Sequence, residues 1–396
     1  MTPMTDLASR WLGGSVVAAS DESFGEKESL LNPAPAAFEP GHYGNRGEIV
    51  DGWETRRRRE GGHDWAIIRL GAPGVITSVD IDTSFFTGNF PQAASIEACG
   101  CEGYPSPEEL AGTGITWEQI VPVSKLTGDS HNVFTVTSTR RFTHVRLSAY
   151  PDGGIARLRV LGQVVPDPRE LDRLTIDLAG QGHGGIVARS SDDFYTSASQ
   201  LNRPDRARTM GEGWETQRRR GPGHDYVLFR LAFAGVVRRI VVDTAHFKYN
   251  ASAAVALYGC ARDPCPPEDS PAWLPLLSRT RLQPDTRHMF PAETAQPVSA
   301  VRLDAFPDGG LSRVRLLGSI TAEARRAAGY RWFNSLPAPQ AIDCLATAGI
   351  PVTLATEIAG QRPLLANQPA GLHTGTGDGG ADAYRLLAGM LEGNPR

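Results

Sequence analysis

Trp53-Glu54-Thr55 and Trp214-Glu215-Thr216 stand 161 residues apart, and the same offset carries His63-Asp64 onto His224-Asp225, Asp82-Thr83 onto Asp243-Thr244 and Asn89 onto Asn250. With small gaps the match extends further. SLLNP at Ser29–Pro33 answers SQLNR at Ser199–Arg203, and AYPDGGIARLRVLG (Ala149–Gly162) answers AFPDGGLSRVRLLG (Ala305–Gly318). A repeat of about 150 residues is an ordinary domain size, so the chain must solve one folding problem twice.

Within each copy the apolar residues alternate. Val79, Ile81 and Thr83 interleave with Asp80 and Asp82, while Val145-Arg146-Leu147 and Leu158-Arg159-Val160 keep the period of two that marks half-buried strands. The 43 glycines and 29 prolines in 396 residues point the same way, to many short strands joined by turns. PDGG, present in both copies, is expected to make a tight connection between two strands, its glycines supplying positive φ. The predicted fold is therefore all-β: a tandem repeat of two jelly-roll, discoidin/galactose-binding-like β-sandwiches. Residues 1–165 form the first repeat, 166–174 a linker and 175–320 the second repeat.

After Ile320 the pattern changes. Ala322–Trp332 and Gln340–Gly349 have helical spacing, and a short helix is expected near Tyr384–Leu391. Residues 321–396 read as a partly helical appendage without a core of its own, poorly ordered from Gln361 onward.

Composition excludes several classes. No run approaches the length of about 18 apolar residues that spans a bilayer, and Met1–Arg10 lacks a secretory pattern, so a cytoplasmic location and no membrane partner are expected. Five cysteines without zinc-type spacing suit free thiols in a reducing compartment, and Cys99-Gly100-Cys101 reads as a strand end. A net charge of −4 argues against a nucleic-acid partner despite Arg56–Arg59, because that run is an island.

The chemistry lies in the recurring strings DGWETRRRREGGHDW (Asp51–Trp65) and EGWETQRRRGPGHDY (Glu212–Tyr226). Trp53 and Trp214 offer rigid apolar walls. Glu54 and Glu215 beside Arg57, Arg58, Arg218 and Arg219 offer carboxylate–guanidinium pairing with a fork left over for an anion. His63-Asp64 and His224-Asp225 can shuttle protons or supply half of a metal site. Structural alternatives exist for each: histidines bonded to their own loops, tryptophans in the core, Asp82 and Asp243 capping turns, Asn89 and Asn250 in left-handed turn positions.

These strings, followed by DTSFFTGNFP (Asp82–Pro91) and DTAHFKYN (Asp243–Asn250), with PDGG in each half and SDESFGEKESLLNP (Ser20–Pro33) near the start, resemble the allantoicase family over about residues 10–320. The resemblance implies two jelly-roll repeats and hydrolysis of allantoate to (S)-ureidoglycolate and urea. Allantoate carries one carboxylate, matched by a free arginine fork, and two ureido groups that need donors and acceptors. Releasing urea requires a proton on the leaving nitrogen and removal of one from water.

The expected catalytic residues are thus His63, Asp64, Glu54, His224, Asp225 and Glu215. The expected substrate contacts are Trp53, Thr55, Arg57, Arg58, Asp82, Asn89, Trp214, Arg218, Arg219, Lys248 and Asn250. No cofactor is implied with certainty. His and Asp leave room for a divalent cation without fixing a ligand set. The expected partners are the small-molecule substrate allantoate and further copies of the chain, as a homo-oligomer.

Where the family's second repeat reads FKGN, Tyr249 replaces the glycine; Gln217 stands where the first copy has Arg56, and Tyr226 where it has Trp65. These departures weaken the second repeat's site more than the first's, and leave open one catalytic repeat beside a structural one or a single cleft lined by both. In the tail, RWFNSLP (Arg331–Pro337) is similar to the start of the decarboxylase acting two steps earlier in the same ureide pathway, without a catalytic remnant of it. The main rival reading is a non-catalytic tandem module that binds carbohydrate or a small anion, and such modules need aromatic platforms rather than a repeated Glu/Arg/His/Asp cluster.

Overall fold

The structure is a computed structural model and describes residues 4–44, 47–49, 51–262, 265–267, 270–365 and 378–393. In the first repeat the main strands are β1 (Ser15–Ala19), β2 (Asp64–Asp82), β3 (Ala93–Cys99), β4 (Glu118–Lys125), β5 (His131–Thr135), β6 (Arg141–Tyr150) and β7 (Arg157–Val164). A short helix, α1 (Pro107–Ala111), follows β3 and is closed by a capping box between Ser106 and Glu109.

The 19-residue strand β2 organises the repeat. Its first half pairs antiparallel with β1 and β6, its second half with β7 and β5, so one strand belongs to both layers of a sandwich. Between the halves the register with β6 jumps from Gly74 to Arg69, where Gly71, Pro73 and Gly74 bend the chain. Ala66, Ile68, Leu70, Ile76, Val79 and Ile81 of this strand face a core shared with Leu147, Leu158 and Val160. Fully burying a Leu or Ile side chain stabilises by roughly 1.5–3 kcal/mol, so this inward row is the main source of the layer's cohesion.

The second repeat repeats the plan with β8 (Ile186–Ser190), β9 (Asp225–Asp243), β10 (Ala254–Cys260), β11 (Leu274–Arg281), β12 (Arg287–Pro291), β13 (Val298–Phe306) and β14 (Arg313–Ile320). Here β9 takes the part of β2, pairing with β8 and β13 and then with β14 and β12. Trp11 of the first repeat lies under the guanidinium groups of Arg203 and Arg208 of the second, 4.7 and 4.9 Å from its ring.

Two expectations change. PDGG does not join neighbouring strands: β6 and β7 lie on different halves of β2, and the segment crosses between layers. There Gly154 and Ile155 pair with Glu54 and Trp53, and Gly310 and Leu311 with Glu215 and Trp214. Of the four glycines only Gly153 has a positive φ, 138°. The stronger demand is close approach, since a Cβ on Gly154 would lie 1.9 Å from the Phe86 ring and one on Gly310 would lie 2.0 Å from the Asn250 carbonyl oxygen.

The C-terminal segment is more than an appendage. Helices α2 (Ala322–Ser335), α3 (Ala338–Thr347), α4 (Val352–Gly360) and α5 (Asp378–Glu392) build a third core from Trp332, Phe333, Leu336, Leu345, Ile358 and Leu387, packed on Val165. Buried Arg325 donates to Asp172 Oδ1 at 2.6 Å and to the Leu391 carbonyl at 2.9 Å, tying linker, α2 and α5 together. The helix expected at Tyr384–Leu391 is the second half of α5. Beyond Gln361, Leu364 is held by reciprocal bonds with Asn334, of 2.7 and 2.8 Å. The rest of the stretch read as poorly ordered, 366–377, lies outside the described residues.

Candidate active site

Both strings sit at the same end of their sandwich, on the loop that leads into the long strand. Trp53 and Trp214 are 0% exposed, and each indole N–H donates to a backbone carbonyl, Asp21 and Asp192, at 2.8 Å. No ring face is left for a ligand. Their expected substrate contact is replaced by a role as the floor that fixes the loop.

Thr55 is also buried, its hydroxyl accepting from the Gly153 amide at 3.0 Å; Thr216 accepts from Gly309 at 2.8 Å. The expected substrate contact of Thr55 is therefore a tie to PDGG. The aspartate of PDGG completes the tie, for Asp152 accepts from the Arg58 amide at 2.8 Å and Asp308 from the Arg219 amide at 2.9 Å.

Arg58 and Arg219 turn inward. Arg58 Nη1 donates to Asp64 Oδ1 at 2.7 Å, and Arg219 Nη2 pairs with Asp225 Oδ1 in the same way. Ser20 and Ser191 donate to the same carboxylate oxygens at 3.0 and 3.1 Å. Asp64 and Asp225 are each 1% exposed. Carboxylates so sealed brace the loop and do not reach a ligand, which removes both from the catalytic set and spends one fork of Arg58 and Arg219. Burial pushes the Asp225 carboxyl up, but hydrogen bonds from Thr216 and Arg219 outweigh it and hold the group below the usual range.

Asp82, a further expected contact, is 4% exposed and uses Oδ1 to accept from Ser84 N at 2.8 Å and Ser84 Oγ at 2.5 Å. It caps the turn that carries Asn89 toward the site. Asp243 accepts from the Ala245 amide at 2.9 Å in the same manner.

What remains less buried in each string is a glutamate, a histidine and an arginine. Asn89 Nδ2 donates to Glu54 Oε1 at 2.6 Å, and Asn250 Nδ2 to Glu215 Oε1 at 2.6 Å. Burial lifts the Glu54 carboxyl above its ordinary value, with the Asn89 bond opposing in part. His63 lies against the Tyr150 ring at 4.6 Å and His224 against Phe306 at 4.7 Å. Arg57, Arg218 and Lys248 are exposed, and among the described residues none of the three takes part in an ion pair. Each repeat thus presents a held carboxyl, an imidazole and a cation with free donors.

Sequence reasoning missed Asp304 and Arg302. His224 Nε2 lies 3.2 Å from Asp304 Oδ2, and Arg302 Nε donates to Asp304 Oδ1 at 2.6 Å. The signal was present in the duplication: SAYPDGG of the first copy aligns with DAFPDGG of the second, an aspartate for Ser148. Among the described residues no group of three or more His, Cys, Asp or Glu is arranged to hold a metal ion. Nor is any described helix long and apolar enough to cross a membrane.

Fold and site together define a tandem β-sandwich enzyme with an acid–base cluster at the loop end of each sandwich. The allantoicase-repeat model matches residues 5–165 and 176–321. A probable allantoicase of Streptomyces coelicolor is 46% identical over 343 residues, 83% of this chain and 90% of its own. One of Nocardia farcinica is 49% identical over 321 residues, 81% and 95%. The crystal structure of allantoicase from Saccharomyces cerevisiae aligns with a TM-score of 0.69 at 35% identity, covering 80% of this chain and 93% of that one. The chain belongs to the allantoicase family.

Proposed function

We propose that the protein hydrolyses allantoate to (S)-ureidoglycolate and urea, through the carboxyl–amide pairs Glu54–Asn89 and Glu215–Asn250 and the histidines beside them. One observation carries this reading: the same 2.6 Å Asn–Glu bond occurs in both repeats, its glutamate three positions before an exposed arginine that is in no ion pair among the described residues. Arg57 and Arg218, with Lys248, bind the substrate carboxylate. Asn89 and Asn250 hold one glutamate oxygen and leave the other to the ureido group.

The reaction breaks the bond from the central carbon to one ureido nitrogen, whose electron pair leaves with urea and takes a proton. Water's oxygen bonds the same carbon and gives up a proton. A glutamate carboxyl suits the first transfer, burial at Glu54 favouring the protonated form, and an imidazole suits the second.

A carbohydrate-binding module is not favoured, because Trp53 and Trp214, the aromatics at the head of both strings, are buried and offer no platform. We place the enzyme in the cytoplasm, with five free thiols as support. Urea release from allantoate, assayed with and without a chelator, tests both the reaction and the divalent cation. Absence of urea under every condition overturns the reading.

A further inference from the structure

The two sites differ chemically. In the second repeat His224 Nε2 lies 3.2 Å from Asp304 Oδ2 and 3.1 Å from Arg302 Nη2. Asp304 is 5% exposed and Ser148, at the equivalent place, 2%. In the first repeat His63 touches Tyr150, and among the described residues neither of its ring nitrogens is hydrogen-bonded.

The cause lies in the strands. Arg146 of β6 faces Glu97 of β3 and donates to its Oε2 at 2.8 Å. Arg302 of β13 faces Tyr258 of β10, which offers no carboxylate. Two residues along the same strand, on the same face, stands Asp304, and Arg302 takes it as partner. The pair then reaches His224. The second repeat also carries exposed Lys248 where the first has Thr87.

Resting on the hydrolytic reading, we propose that Asp304, braced by Arg302, is the positioning residue for His224, and that the second repeat performs the proton transfer while the first serves a lesser part. Asp304 Oδ2, 3.2 Å from Nε2, is the acceptor proposed for a protonated Nε2, and Arg302 Nη2, 3.1 Å away, is the donor to a bare one. Nδ1, which has no partner among the described residues, takes water's proton as the carbon–oxygen bond forms. This reverses the expectation, drawn from Gln217, Tyr226 and Tyr249, that the second repeat's site is the weaker.

The test uses Asp304→Asn and Asp304→Ser, the latter placing there the residue the first repeat already accommodates. Wild-type urea release is measured first, and its absence overturns the hydrolytic reading itself. With activity present, each variant is expected to lose roughly 10-fold to 100-fold in kcat, with KM within about threefold and no further loss when combined with His224→Gln. A structural role for Asp304 would lower activity by the same factor in both backgrounds, and that result, or unchanged kcat, overturns the proposal. Independently of how either Asp304 variant folds, His224→Gln should cost at least about ten times more kcat than His63→Gln. Equal losses, or a larger one at His63, also overturn it.

Discussion

Asn89 holds Glu54 by a single 2.6 Å bond to Oε1, and the carboxyl so held sits above the ordinary glutamate value because burial disfavours its charge. The folded state therefore keeps the Glu54 proton to higher pH than the unfolded chain does. Stability from this group is present at low pH and is lost as pH rises from 4.5 through the raised value. Glu54→Gln removes the penalty and retains an acceptor for Asn89. Denaturation midpoints between pH 4 and pH 7 should show the variant gaining on the wild type as pH rises, then levelling. A gap that stays constant or narrows over that range would contradict the assignment.

Neighbouring arginines should separate cleanly. Arg218 is exposed and in no ion pair among the described residues, whereas Arg219 is bonded to Asp225, which is 1% exposed. Arg218→Ala is expected to raise KM for allantoate about 10-fold or more without altering the melting temperature. Arg219→Ala leaves a buried carboxylate short of its cation and should destabilise by about 2 kcal/mol. Thermal melts and steady-state kinetics on the two proteins read both effects, and a stable Arg219→Ala protein would make that ion pair ornamental.

How far this was legible in the sequence can be judged at particular residues. Duplication and alternation announced β2 and β9, since Val79 and Ile81 keep the period that burial imposes. The Glu, Asn, His and Arg identities were legible too, because they recur. Exposure was not: Trp53, Asp64 and Asp82 stand in the same polar strings as Glu54 and Asn89, and only the folded contacts, of Trp53 with Ile155, Asp64 with Arg58 and Asp82 with Ser84, decide which are sealed. Asp304 escaped because the aligned position holds Ser148, so attention to what the copies share passed over where they differ. The third core escaped because its apolar residues, Trp332, Leu345 and Leu387, meet only when four helices fold on one another.

That third core gives a prediction of its own. Gly329 of α2 faces α5, and a Cβ there would lie 1.8 Å from the Leu391 carbonyl oxygen, which also accepts from Arg325. Gly329→Ala should destabilise the helices by roughly 1–3 kcal/mol, as overpacking does, with kcat within about twofold of wild type. Limited proteolysis mapped to residues 321–396 and the urea assay test the two halves of the statement. A melting temperature equal to wild type would show that the helices do not pack as described.

The central claim is hydrolysis of allantoate by the carboxyl–amide–imidazole clusters, and Glu215→Gln in the urea-release assay reaches it most directly. Wild type should release one urea per allantoate consumed and leave ureidoglycolate. Glu215→Gln, folded and still able to accept from Asn250, should release it about 100-fold more slowly at saturating substrate. Full activity in Glu215→Gln, or no urea from the wild type, would contradict the account.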